Sequence, residues 1–355
     1  MSGEVGDTPG EPSRLGRRRW AVIALIGLFA LLTLAVAGVF GVWSLANYRF
    51  NSPAADMPAR TVFTVPDGAG LNRVADMLEA GGLIDSAAIV KFVMRFRNPG
   101  ARLVPGEFRI ESGMSPARII DKLTSGDIVT YRFTAVEGRT VAQILRAMDR
   151  HEMLVDDDPA PPAEGTLLPE TYTFGRGTRQ SDLVAQMRAA HDAAVRELWA
   201  SRKPDLPIET PQEAVILASI VERETGLDGE RREVAGVFVN RLRRGMRLES
   251  DPTIIYGISK GEPLGRGLRR SEIDRATAWN TYQIDGLPPT PIANPGREAI
   301  AAVLDPAETD ALFFVADGTG GHAFARTYRE HLRNVAAWRR IERERRRNAQ
   351  LEGED

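Results

Sequence analysis

Two glutamates, Glu222 and Glu224, close an almost wholly apolar run that begins at Ile216 and ends before Gly226. A carboxyl group pressed against apolar walls, near the negative end of a helix dipole, holds its proton to higher pH than a carboxyl in water. A proton retained near neutrality is what a general acid requires. On an ordinary helix the same positions would be exposed, ionised residues of the last turn. The burial of the helix and the motifs that follow it therefore decide between a catalytic and a decorative pair.

The sequence predicts a helix from Thr210 onward. Thr210 suits the N-cap, Pro211 the first helical position and Glu213 the reciprocal half of a capping box, while Gly226 supplies a stop. Ala214, Val215, Ile216, Leu217, Ala218, Ile220 and Val221 cover nearly the whole wheel, as in a helix buried on most sides. Glu222 falls beside Val215, Ala218 and Ser219, and Glu224 beside Leu217 and Ile220. The wheel does not choose between them.

Upstream, residues 21–42 form an uncharged apolar run. At 1.5 Å per residue it spans about 33 Å, enough to cross a bilayer core. Trp20 and Trp43 bracket it at interfacial positions, and Arg14, Arg17, Arg18 and Arg19 precede it against only Arg49 and Arg60 soon after. This asymmetry places the N-terminus in the cytoplasm and about 300 following residues outside it. A cleaved signal peptide ending at Ser44-Leu45-Ala46 is the competing reading, but the apolar run is longer than signals use. The formal charge of −2 gives no reason to expect nucleic acid as a partner, and the absence of cysteine rules out disulfide and thiol chemistry. The first thirteen residues read as a disordered tail.

Three segments repeat a pattern. Phe63 and Val65, Phe108 and Ile110, and Phe133 and Ala135 are followed by Gly68, Gly113 and Gly138, then by the pairs Val74/Leu78, Ile119/Leu123 and Ile144/Met148. This describes strand, turn and amphipathic helix three times over. Helices are also expected over residues 181–200 and 230–244 and from Tyr328 to about Ala349, the last with a solvated, arginine-rich face. Residues 251–324, rich in Pro, Gly, Asn and aromatics, read as loops lining a site.

Five local motifs accompany the glutamate helix. They are Val239-Asn240-Arg241-Leu242, the run from Ser250 to Gly257, Trp279-Asn280-Thr281-Tyr282, the run from Gly286 to Ile292, and Gly321-His322-Ala323-Phe324. In order and approximate spacing the set closely resembles the endolytic murein transglycosylase family, the YceG-like proteins, over roughly residues 20–338. The segment from Thr64 to Leu78 resembles the start of a LysM-like fold, which both a saccharide-binding surface and a structural spacer would fit. The resemblance implies an α+β chain: a cytoplasmic tail (1–19), a single transmembrane helix (20–43), a linker (44–59), a small LysM-like α+β module (60–150), a mixed α+β catalytic domain (151–338) and a charged tail (339–355).

It further implies cleavage of peptidoglycan strands between N-acetylmuramic acid and N-acetylglucosamine, with a 1,6-anhydro-muramyl end as product. Peptidoglycan synthases at the same membrane would be partners, and no cofactor or metal is called for. By the same resemblance the first glutamate, Glu222, is catalytic. Trp279 stands where the family commonly has tyrosine. Thr253, Tyr256, Asn280, Tyr282 and His322 are candidate sugar or N-acetyl contacts, each equally suited to stabilising a loop, and a structural hydrogen bond is the simpler role for His322. An internal hydroxyl nucleophile needs one carboxyl, whereas a hydrolase needs a second, for which Asp251 and Glu249 are available. Asp251, preceding Pro252, also suits a turn or cap.

His151, His191, His322 and His331 lack metal-ligand spacing, and no G-x-S-x-G occurs. The rival from another class is a non-catalytic, membrane-anchored peptidoglycan-binding scaffold. Exchanging the catalytic glutamate for glutamine separates the two: a scaffold is indifferent to it.

Overall fold

The computed structural model describes residues 14–57 and 59–352; the tail expected over residues 1–13 lies outside them. Helices and strands are mixed, and the chain divides into two compact units between Val129 and Thr130.

The N-terminal unit begins with α1 (Arg14–Asn51), a single unbroken helix. Its stretch Val22–Asn51 is long and apolar enough to cross a membrane, and the apolar side chains from Val22 to Val42 are exposed, which is compatible with a single-pass anchor. No break marks Ser44-Leu45-Ala46. Instead Ala46 and Phe50 are buried in this unit's own core. β1 (Arg60–Val65) pairs antiparallel with β2 (Gly106–Glu111), setting Phe63 opposite Phe108. Strand alternation then places Phe63, Val65, Phe108 and Ile110 on one buried face. α2 (Leu71–Ala80), α3 (Ala87–Arg97) and α4 (Pro116–Ser125) cover it with Val74, Leu78, Val90, Val93, Ile119 and Leu123.

The C-terminal unit opens with the third strand–turn–helix copy, β3 (Thr130–Thr134) and α5 (Val141–Met148). β3 pairs antiparallel with β4 (Thr171–Gly175), and their core of Phe133, Ile144, Met148 and Tyr172 is closed by Leu183 and Met187 of α6 (Gln180–Ala200). All three copies predicted from the spacing are present. The third belongs to the C-terminal unit, because its strand finds its partner in β4, so the division falls ahead of residue 150.

A second core surrounds α7 (Pro211–Glu224), which is buried from Ala214 to Val221 between α6, α8 (Arg231–Arg243) and α11 (Arg297–Leu304). The span 251–324 is less loop-like than its composition predicts. Besides α11 it holds α9 (Asp251–Ser259), the single turn α10 (Arg270–Ile273) and the hairpin β5 (Phe313–Ala316) with β6 (His322–Ala325). These elements are too short to leave a periodic signature. Pro252 sits in the first turn of α9, where proline is tolerated, so Asp251 begins a helix rather than a turn. The last described element is α12 (Tyr328–Glu352).

Gly236 lets α8 meet the segment after α11 closely. A Cβ there would lie 2.8 Å from Thr309 Cγ2 and 2.9 Å from the Ala307 carbonyl oxygen. That segment cannot retreat, since Ala307 N–H donates to Arg232 O (2.9 Å) and Asn240 Nδ2 donates to the carbonyls of Thr309 (2.7 Å) and Ala311 (3.1 Å). Gly236→Ala is therefore expected to destabilise by about 1–3 kcal/mol, although alanine is the better helix former by about 1 kcal/mol. Chemical denaturation midpoints of the two proteins test this.

Candidate active site

α7 is fixed at its start by the capping box read from the sequence. Thr210 Oγ1 accepts from Glu213 N–H (3.2 Å), and the Glu213 carboxylate accepts from Thr210 N–H (3.1 Å). It ends at Glu224. Thr225, not Gly226, is the cap, and it is extended (φ −135°, ψ 133°), so the stop uses no left-handed glycine. Mid-helix, Ser219 Oγ donates to Ile216 O and accepts from Ile292 N–H (3.0 Å), docking the loop after Gly286.

The two glutamates part ways at the helix end. Glu224 lines a cleft of about 390 Å³ together with Arg241, Glu249, Asp251, Tyr282 and His322. Burial raises its carboxyl pKa from 4.5 to about 7, against the lowering effect of the Ser250 hydroxyl, which donates to Oε1 at 2.5 Å. Asp251 pushes it up further, and His322 and Arg223 oppose. Glu222 does not line this cleft. Its Oε2 accepts from Gly296 N–H (2.9 Å) at the N-cap of α11, and its Oε1 stands 3.8 Å from the Arg231 guanidinium. Its pKa is also raised, by burial above all, with the Gly296 bond pulling the other way and Glu137 adding to the rise. Glu222 thus links the ends of three helices, while Glu224 faces the open space.

Of the other residues singled out by sequence, Asp251, Tyr282 and His322 line the cleft with Glu224. Tyr282 Oη donates to Asp251 Oδ1 (2.8 Å). Both His322 N–H (2.9 Å) and its Nδ1 (2.8 Å) meet the Glu230 carboxylate, the structural hydrogen bond anticipated for it. The remaining three do not line the cleft, because their polar atoms are bound inside the fold. Thr253 is fully buried and donates to Ser250 O (2.6 Å). Asn280 Nδ2 lies 2.7–3.3 Å from the carbonyls of Glu272, Ile273 and Arg275. Tyr256 packs edge-on to Trp279 and points its hydroxyl at Glu164 (3.4 Å). The Trp279 ring is itself covered by the Lys260 ammonium, 3.6 Å from its centroid. Thr253 and Thr281 still serve the site indirectly: Ser250 N–H donates to Thr281 Oγ1 (2.9 Å), which fixes the hydroxyl that holds Glu224.

Sequence reasoning passed over Ser250, Glu230, Arg241 and His331 as members of this cleft's walls and supports. His331 stacks on Phe313 (5.2 Å), and burial lowers its pKa, with Arg241 acting in the same sense. Only the motifs around Ser250 and Arg241 could have signalled them; Glu230 and His331 carry no local mark.

Within an α+β unit the fold sets a buried carboxyl of raised pKa into an open polar cleft, and comparison with known proteins says which family shares this frame. The YceG-like family model matches residues 63–337, so the chain belongs to the YceG-like family. It is 28% identical to the endolytic murein transglycosylase of Bacillus subtilis, over 75% of this chain and 81% of that protein. It is 27% identical to the endolytic murein transglycosylase of Streptococcus pneumoniae D39, over 89% of this chain but 64% of that longer protein. A crystal structure of a YceG-like protein from Listeria monocytogenes superposes with a TM-score of 0.50 at 25% identity, covering 78% of this chain and 98% of that one.

Proposed function

We propose that this protein is a membrane-anchored, endolytic peptidoglycan lytic transglycosylase in which Glu224 is the acid. The carrying observation is a carboxyl that keeps its proton to about pH 7, lines an open cleft, and is oriented by the Ser250 hydroxyl. The names of the relatives supply the substrate class. Protonated Glu224 donates to the glycosidic oxygen between N-acetylmuramic acid and N-acetylglucosamine as positive charge builds at the muramyl C1. The resulting carboxylate then takes the proton of the muramyl C6 hydroxyl, which closes on C1 and leaves a 1,6-anhydro end. The nucleophile belongs to the substrate, so a high effective concentration replaces a bound water. Tyr282, Asp251 and His322, which line the cleft with Glu224, would contact sugar. The N-terminus would be cytoplasmic and the catalytic unit outside the membrane, beside the synthases whose strands it terminates, a reading supported by the arginine asymmetry around α1.

One observation favours a second reading. Asp251 lines the same cleft, and a second carboxylate is what a muramidase-type hydrolase needs. Mass spectrometry of products from uncross-linked strands separates the two. Muramyl ends lighter by one water are expected, whereas reducing ends would establish hydrolysis. Binding without cleavage would leave a scaffold. The full chain in detergent is the right material, because cutting after Asn51 would strip Ala46 and Phe50 from the core.

A further inference from the structure

The N-terminal unit carries an exposed aromatic surface that its own core does not explain. α3 buries Ala87, Val90, Val93 and Met94, yet leaves Phe92 39% and Phe96 63% exposed. Both rings touch Trp43 of α1. The centroid distances are 5.9 Å for Trp43 to Phe92, 5.7 Å for Trp43 to Phe96 and 5.4 Å between the two phenylalanines, all edge-on. On the same stretch of α1, Leu45 and Tyr48 are 61% and 68% exposed. Left in water, such a patch would be a liability.

Its position along α1 says what covers it. The apolar residues 22–42 rise about 31 Å, close to the roughly 30 Å thickness of a bilayer's hydrocarbon core. Trp43 follows directly, and so stands at the lipid–water boundary, where tryptophan and tyrosine concentrate. Rings less than 6 Å from Trp43 cannot lie far from that depth. Basic residues flank them: Arg95 has no carboxylate partner among the described residues, Arg97 lies over the Phe50 ring (5.4 Å), and only Lys91 is tied to an acid, Asp76. Apolar rings edged by arginines match the boundary between acyl chains and anionic headgroups.

We propose that α3 is an interfacial helix: Phe92 and Phe96 insert beside Trp43 at the lipid boundary, and Arg95 and Arg97 meet lipid phosphates. The N-terminal unit is then held flat against the bilayer by two contacts rather than swinging from one. This rests on the reading of α1 as a membrane span.

The chain has no cysteine, so single-cysteine variants place a nitroxide spin label at one site. Val36→Cys, Phe96→Cys and Arg95→Cys of the full chain are put into vesicles of phosphatidylglycerol and phosphatidylethanolamine. Collisions with oxygen, which partitions into lipid, are compared with collisions with a water-soluble nickel chelate. Arg95→Cys leaves all three rings intact and guards against packing lost at position 96. At Val36 the label should meet oxygen and exclude the chelate. At Phe96 and Arg95 chelate collisions should also be lost in favour of oxygen, less completely than at Val36. Free access of the chelate at both α3 positions, with Val36 in lipid, overturns the proposal and leaves the anchor standing. Chelate access at Val36 as well overturns both. Shielding of the α3 labels from both reagents overturns it in favour of a protein covering the rings.

Discussion

Glu224→Gln is expected to lower strand cleavage by about 10²- to 10⁴-fold, the range a positioned general acid contributes. Fold and glycan binding should survive, because the amide oxygen can still accept from Ser250 Oγ. Glu222→Gln should cost far less: its amide oxygen can still accept from Gly296 N–H, and what is lost is the charge facing Arg231 and Arg223. Anhydro-muramyl ends counted by mass spectrometry read both variants, and the opposite order would return the acid to Glu222. The wild-type pH profile follows from the raised pKa of about 7. The reactive form is protonated, so kcat/KM should be level below pH 7 and fall tenfold per unit above it.

The same group makes stability depend on pH. Its pKa in the fold, about 7, lies above its ordinary value of 4.5, so the folded state binds the proton more tightly than the unfolded one. The stabilisation is fully present below 4.5 and is lost as pH rises to 7. At about 1.4 kcal/mol per unit the loss reaches about 3 kcal/mol. Glu224→Gln should therefore unfold at a higher temperature than wild type at pH 8, with the advantage shrinking toward pH 5. A carboxyl kept protonated by burial is a liability to stability once it ionises.

Arg241→Met should destabilise the C-terminal unit by about 3–5 kcal/mol, the cost of leaving the carbonyls of Leu312, Arg247 and Leu248 without their donor. Arg241 Nε donates to Leu312 O (2.7 Å), and Nη1 reaches Arg247 O (3.0 Å), Leu248 O (3.1 Å) and Glu249 Oε2 (2.9 Å). Its guanidinium also lies over the Phe313 ring, 5.1 Å from the centroid. One planar fork thereby joins α8, β5 and the segment leading to Ser250. Buried carbonyls would lose their donor, whereas Glu249 is 47% exposed in its side chain and can turn to water. Arg241→Lys should recover only part of the loss, since an ammonium cannot span acceptors that lie in the guanidinium plane. Denaturant midpoints measure the stability. Cleavage should fall with it, because these strands and loops wall the cleft.

Local pattern carried the elements that are long or strongly marked. The apolar run of α1, the capping box of α7, the three strand–turn–helix copies and the helices flanking α7 were legible because each carries its cap or its apolar period within its own short stretch of sequence. The family motifs marked out the neighbourhood of the site. They did not sort its members: Thr253, Tyr256 and Asn280 sit in the same motifs as Tyr282 and Asp251, yet bind carbonyls and carboxylates inside the fold.

What the sequence determined by itself is that two carboxyls close a buried helix and that an apolar helix long enough to cross a bilayer lies near the N-terminus, since both depend on composition and period alone. Which carboxyl faces open space was left to the tertiary structure. Glu222 and Glu224 differ by two positions, about 200° around a helix, and nothing local says which side Gly296 and Arg231 will occupy and which side Ser250, Asp251 and His322 will leave open. Those neighbours come from segments as far as 98 residues along the chain from Glu224 to His322. Their arrival at one helix end is a property of packing, which no local period encodes.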